Sequence, residues 1–195
     1  MIRRAPLLLA LLLVACGHAP PADQPPPPVV AVVTPSAPAS ATFTPRHRLR
    51  LNLEAMRLDR GKLHRDEVLA AVRKAEAARL ARSGYRLAPE ADRAAEEETL
   101  TRMANLDRAT VRRALHADLL LLTTVTQWEE PTGAGMENAV TCGLDVSLYD
   151  LRDGHLVWRN RIQGALVRTM NELDTAVGDL ARAAVAEALR SLPAP

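Results

Sequence analysis

Asp118-Leu119-Leu120-Leu121-Leu122-Thr123-Thr124-Val125-Thr126-Gln127-Trp128 is the stretch whose reading decides the fold. Its first half is apolar without alternation, and its second half is rich in β-branched residues. Such a run is a strand buried on both faces, so other elements must cover the sheet on each side. The next strand, over residues 139–149, alternates instead. It places Val140, Cys142, Leu144, Val146 and Leu148 on one side and Thr141, Asp145, Ser147 and Tyr149 on the other. Asp153-Gly154 is a hairpin-turn dipeptide. Residues 155–167 then return as a strand, predicted to turn Leu156, Trp158, Ile162 and Leu166 inward and Arg159, Arg161 and Gln163 outward.

Upstream, residues 108–115 read as a short helix, with Asp107 as its cap and Leu106 stapled to Val111. A charged helix is predicted over residues 90–104, with Glu96-Glu97-Glu98 on its solvated face. Tyr85-Arg86-Leu87 is a short strand closed by Pro89. Residues 65–82 form a helix with Val68, Leu69, Val72 and Ala75 on one face and Gly84 at its stop. Leu49, Leu51 and Leu53 alternate with Arg50, Asn52 and Glu54, as in a half-buried strand. Downstream, residues 172–191 carry the helical stripe Leu173, Val177, Leu180, Ala184, Ala188 and Leu192, with Asn171 as cap. The order β-α-β-α-α-β-β-β-α predicts the α/β class, a single mixed sheet with helices packed against it. Residues 46–195, about 150 in number, suit one domain.

The N-terminus is of another kind. Arg3 and Arg4 precede an unbroken apolar run over residues 7–15, which ends at Cys16. Nine residues rise only about 14 Å as a helix, too short to span a bilayer, so residues 1–15 read as a signal peptide. Leu13-Val14-Ala15-Cys16 resembles a bacterial lipobox, in which the cysteine thiol takes a diacylglycerol. On that reading Cys16 is lipidated, and several acyl chains anchor the mature chain firmly to a membrane. Nine of the 29 residues from 17 to 45 are proline. Residues 16–45 are therefore predicted to be a disordered tether, reaching roughly 90 Å if extended.

The formal charge of +2 rests on Arg3 and Arg4; without them the chain is neutral, which argues against nucleic acid as a partner. Cys16 and Cys142 are the two cysteines, so no disulfide framework is expected, and Cys142 reads as a small buried hydrophobe. There is no phosphate-binding glycine motif and no nucleophile elbow. His18, His47, His64, His116 and His155 are scattered without metal-ligand spacing, so no cofactor, metal or catalytic residue is assigned. His64 and His116 fall at helix ends, where capping or solvent exposure is expected. The polar row with Asp145 reads as an exposed face; an enzyme would need Asp145, a histidine and Arg159 or Arg161 in one cleft. The connection with Pro131, Gly133, Gly135 and Met136 is the candidate partner-contact loop.

Two stretches, residues 117–128 and 144–158, resemble the core of a group of bacterial envelope lipoproteins and related domains: the curli secretion lipoprotein CsgG, the penicillin-binding-protein activator LpoB and the amino-terminal domain of TolB. In that group "Ala-Asp" leads into a long strand, and a later hairpin ends in "Leu-Trp". Here Ala117-Asp118 and Val157-Trp158 stand at those places. Thr124 replaces the group's glycine, and Leu53-Glu54-Ala55-Met56 stands where a "Val-x-Pro-Phe" strand end is usual. No segment offers the paired hairpins of a pore. The resemblance implies a non-catalytic lipoprotein that binds or positions envelope proteins in assembly, secretion or wall synthesis. Gly17 after Cys16, in place of an aspartate, points to the outer membrane; a periplasmic face is expected, with the outside as the alternative. The alternative is a small-ligand-binding lipoprotein, with a pocket between the sheet and residues 129–138.

Overall fold

The computed structural model of this chain describes residues 26–45, 60–90, 108–131, 135–136, 138–169 and 176–195. The class is α/β, as predicted, with one mixed open sheet and three helices on it. In chain order the elements are β1 (Val29–Val32), β2 (Thr42–Thr44), α1 (Arg60–Arg82), β3 (Arg86–Leu87), α2 (Arg108–Leu115), β4 (Leu119–Glu129), β5 (Ala139–Asp150), β6 (Leu156–Arg168) and α3 (Val177–Ala188). The sheet order is β3-β1-β4-β5-β6, and β2 pairs with the far end of β4.

The main correction concerns where the domain starts. Residues 29–44, expected in the tether, belong to the sheet. β1 lies between β3 and β4 and is parallel to both. Ser36 then bridges to Thr124, and β2 runs parallel to residues 127–129. The segment thus follows β4 along its length. The cause is the run Val29-Val30-Ala31-Val32-Val33, whose branched side chains favour a pleated, buried surface; Val30 and Val33 are buried. Pro28, Pro35 and Pro38 stand outside the paired residues, where a missing N–H removes no ladder bond. The boundary moves from residue 46 to Val29. The strand expected over residues 49–53, the charged helix beyond Glu90, and the caps Asp107 and Asn171 lie outside the described residues.

Asp118 fastens β1 in place. The Val29 N–H donates to its Oδ2 at 3.2 Å, its own N–H donates to the Val29 carbonyl at 2.8 Å, and Arg112 Nη2 donates to Oδ1 at 2.9 Å. The Val29 N–H first, then Arg112, hold the Asp118 carboxyl below the usual carboxylate range, against a smaller opposing effect of burial.

Apolar side chains collect on both faces. The larger core lies between the sheet and the pair α1 and α3, with Val72, Leu80, Leu121, Trp128, Leu144 and Leu180 at its centre. A smaller one lies on the opposite face, where Val111 and Leu115 of α2 meet Ala31, Val33 and Leu120. Leu119 and Leu121 therefore enter one core and Leu120 the other, which is why the start of β4 shows no alternation.

Three bulges adjust the alternation of the long strands. On β4, Val125 pairs with Leu144 and Gln127 with Gly143, so Thr126 is the extra residue and Trp128 turns into the core. On β6, Cys142 faces Ala165 while Leu144 faces Ile162, and the extra residue falls at Gln163-Gly164, where Gly164 has φ +61°. A second bulge at Val157 pairs Leu156 with Tyr149. Each inserted residue exchanges the faces beyond it. Trp158 and Ile162 pack against the core as predicted, but Leu156 and Leu166 do not: they are 47% and 49% exposed.

Candidate functional site

The two faces of β4–β6 differ. One is covered by α1 and α3. On the other, Asp145 stands opposite Thr124 on one side and Arg161 on the other. Arg159 Nε donates to Asp145 Oδ1 at 2.9 Å and its Nη2 to Oδ2 at 2.6 Å, a bidentate fork. Arg161 Nε donates to Oδ2 at 2.9 Å, and its Nη2 also reaches that oxygen. Arg159 first, then Arg161, hold the Asp145 carboxyl below the usual carboxylate range against the effect of its partial burial. Two guanidiniums and one carboxylate leave a net positive charge. A small cavity of about 340 Å³ lies beside them, between Thr124, Thr126, Asp145 and Gln163. Gly143 lets Thr126 fold over it, since a Cβ there would lie 2.4 Å from Thr126 Oγ1.

Sequence reading placed Asp145, Arg159 and Arg161 on one outward face, and the structure joins them in one network. Among the described residues no histidine joins them, and His18 and His47 lie outside the described residues. His155 lies in the hairpin, with Nδ1 4.0 Å from Asp153 Oδ1. His116 ends α2 at φ +48°. His64, expected at an exposed helix start, is buried, because α1 begins earlier, at Arg60. Its Nε2 is 3.7 Å from Glu130 Oε1, which also accepts a hydrogen bond from Trp128 Nε1 at 3.2 Å. No group of three or more potential metal ligands occurs among the described residues, and no described helix is long and apolar enough to cross a membrane.

Of the proposed contact loop, Gly133 lies outside the described residues, as does the lipidation candidate Cys16. Pro131 is half-buried, and Gly135 takes φ +76°. Met136 folds toward β6, where Arg168 Nη2 donates to its Sδ at 3.3 Å. Asn138 and Thr169 close the base of the loop, with Thr169 N–H donating to the Asn138 carbonyl at 2.8 Å. Cys142 is buried, and burial first, then the Glu187 charge, push its thiol up to about 12. It is a small buried core residue, as predicted. Residues 132–134 and 137, beside which a ligand pocket was expected, lie outside the described residues; a cavity of about 690 Å³ does occur among the described residues. It lies at the β1–β3 edge. Sequence reading also missed the buried pair Glu76 and Thr123, although Glu76 stands in an i, i+4 row with Val68, Val72 and Leu80.

No protein-family model matches the chain, and no curated protein matches it in sequence. Solved structures are similar to it to differing degrees. The hypothetical protein CT253 from Chlamydia trachomatis is similar over 85% of this chain and 93% of its own, with 12% identity and a TM-score of 0.50. The lipoprotein GNA1162 from Neisseria meningitidis matches over 85% of this chain and 100% of its own, at 19% identity and a TM-score of 0.43. LpoB from Escherichia coli matches over 85% and 81%, at 11% identity and a TM-score of 0.34. At 12% identity the likeness to CT253 is one of fold alone.

Proposed function

We propose that the chain is a non-catalytic lipoprotein of the bacterial envelope, anchored by acyl chains on Cys16, whose domain holds a protein partner. The observation that carries this reading is the asymmetry of β4–β6. One face is buried under helices; the other presents the Asp145–Arg159–Arg161 network beside half-exposed Leu156 and Leu166. Arginine among apolar side chains on a rigid support is the composition of a contact surface. The network favours binding over acid–base chemistry: Asp145 is held ionised, and arginine stays protonated. The lipobox supports the anchor. Gly17 supports an outer-membrane address with the domain in the periplasm, and the partner belongs to assembly, secretion or wall synthesis.

The test is photocrosslinking in cells, with the full lipoprotein carrying a photoreactive residue at Leu166 or, separately, at exposed Arg82 on α1. One dominant envelope-protein adduct is expected from Leu166 and none from Arg82. Arg159→Glu combined with Arg161→Glu should reduce that adduct about tenfold, the scale of one well-placed charge contact. Equal labelling from both positions, or none from Leu166, would sink the reading. Cys16→Ser should move the protein from the membrane to the soluble fraction.

A further inference from the structure

At the opposite edge of the sheet from Arg159 and Arg161 lies a cavity of about 690 Å³. Its floor is β1, where Val30 is fully buried. One wall is α1 and the other is the strand end at Leu87 and Ala88. The space exists because the facing side chains are short: Ala70 and Ala77, two turns apart on α1, and Ala88 across from them. Along α1 the lining runs from Asp66 to Ala77, about 16 Å by helix rise. A volume of about 690 Å³ over that length is a trough about 7 Å across, more than twice as long as it is wide. Its size falls within the range of ligand pockets, and its shape suits an extended chain.

The charged side chains sit at its rim. Asp66, Lys74 and Glu90 are exposed. Arg73 is engaged: its Nη1 bonds Thr34 Oγ1 at 3.2 Å and pairs with Glu90 Oε1 at 3.3 Å. Lys74 has no hydrogen-bond or ion-pair partner among the described residues. Asp66, two helical turns away at about 12 Å, is too far to neutralise it by contact. An apolar trough whose rim carries, among the described residues, one ammonium without a partner is complementary to an anionic amphiphile. We propose that it binds a single-chain amphiphile with an anionic head, the alkyl chain lying along β1 and the head on Lys74. Each methylene removed from water there adds about fourfold in affinity. This site is separate from the partner-binding face and does not depend on it.

The test uses the mature chain from residue 16, with Cys16→Ser so that no attached acyl group competes. It is titrated with cis-parinaric acid, a fluorescent fatty acid, and palmitate is then added as competitor. Saturable binding at one site per chain is expected, in the range of about 1–10 μM, with full displacement by palmitate. Ala77→Leu keeps helix propensity and fills the trough, and should weaken binding about tenfold or more. Lys74→Glu should weaken palmitate about tenfold and leave hexadecanol, its uncharged analogue, unchanged. Circular dichroism shows whether each variant folds. If Ala77→Leu does not, Ala70→Leu on the same wall gives the same readout. Lack of saturable binding at about 100 μM, or binding that neither wall variant weakens, overturns the proposal. Palmitate and hexadecanol losing affinity alike in Lys74→Glu overturns the head-group assignment.

Discussion

Glu76 is 1% exposed, and its Oε1 accepts a hydrogen bond from Thr123 Oγ1 at 2.5 Å, while Oε2 has no hydrogen-bond partner among the described residues. Burial raises its carboxyl from 4.5 to about 8, with the Thr123 bond opposing. The folded protein therefore keeps this proton at neutral pH, while the unfolded chain releases it above about 4.5. Between those values the native state binds more protons than the unfolded state, so stability falls as pH rises. At pH 7 the loss is on the order of 3 kcal/mol. Glu76→Gln keeps the shape and removes the proton linkage. Thermal unfolding from pH 5 to 8 should show a declining Tm for the natural chain and a flatter, higher profile for the variant. Equal slopes would mean that Glu76 is ionised in the fold. This carboxyl was readable in principle, as an acid in the row Val68, Val72, Glu76, Leu80. What the row does not reveal is the strand threonine that meets it, because 47 residues separate the two.

At the level of elements, β4, β5, β6 and α2 stand within a residue or two of their predicted limits. Their patterns are long enough for the period to declare itself. Inward and outward assignments on β6 fared worse, and Gly164 shows why. A bulge adds one residue to one strand, and nothing local in Ile162-Gln163-Gly164-Ala165 announces it except the glycine. Arg159 and Arg161 lie between the two bulges of β6, so their predicted face held, while Leu156 and Leu166 lie beyond and changed sides. Gly164 is at φ +61°, and a Cβ there would meet nothing nearer than Gln127 Oε1 at 3.9 Å. Substitution should thus cost backbone strain alone. Gly164→Ala should lose about 1–2 kcal/mol in urea unfolding, and Gly164→Asn less, because asparagine tolerates this region. Equal losses would show that the strand gives up its bulge when the glycine is removed.

At the scale of the molecule, the proline content of residues 17–45 hid an interior strand of the sheet. Composition averaged over 29 residues reads as tether, although the five residues 29–33 read alone as a buried strand. The outward face of β5 and β6 was legible because alternation marks it. The β1–β3 cavity was not, because it is assembled from a strand that sequence reading had placed outside the domain. A chain beginning at residue 46 separates the two organisations. With a mere tether removed it would unfold cooperatively, as expected of the longer chain. With β1 removed, Leu120 and Leu121 lose their neighbour and Asp118 loses the Val29 N–H. The shortened chain should give no cooperative transition by circular dichroism.

The position of β1 also sets how the domain bears load. From Cys16 to Val29 is 13 residues, about 45 Å at full extension, half the reach expected of a tether ending at residue 45. Tension from an acylated Cys16 would enter at Val29 and run along the strand axis, between the parallel ladders to β3 and β4. Pulled in shear, the hydrogen bonds of both ladders resist together instead of peeling one at a time, with Asp118 as the first clip in line. With such an anchor, the linker and the paired ladders of β1 would act as a single mechanical part.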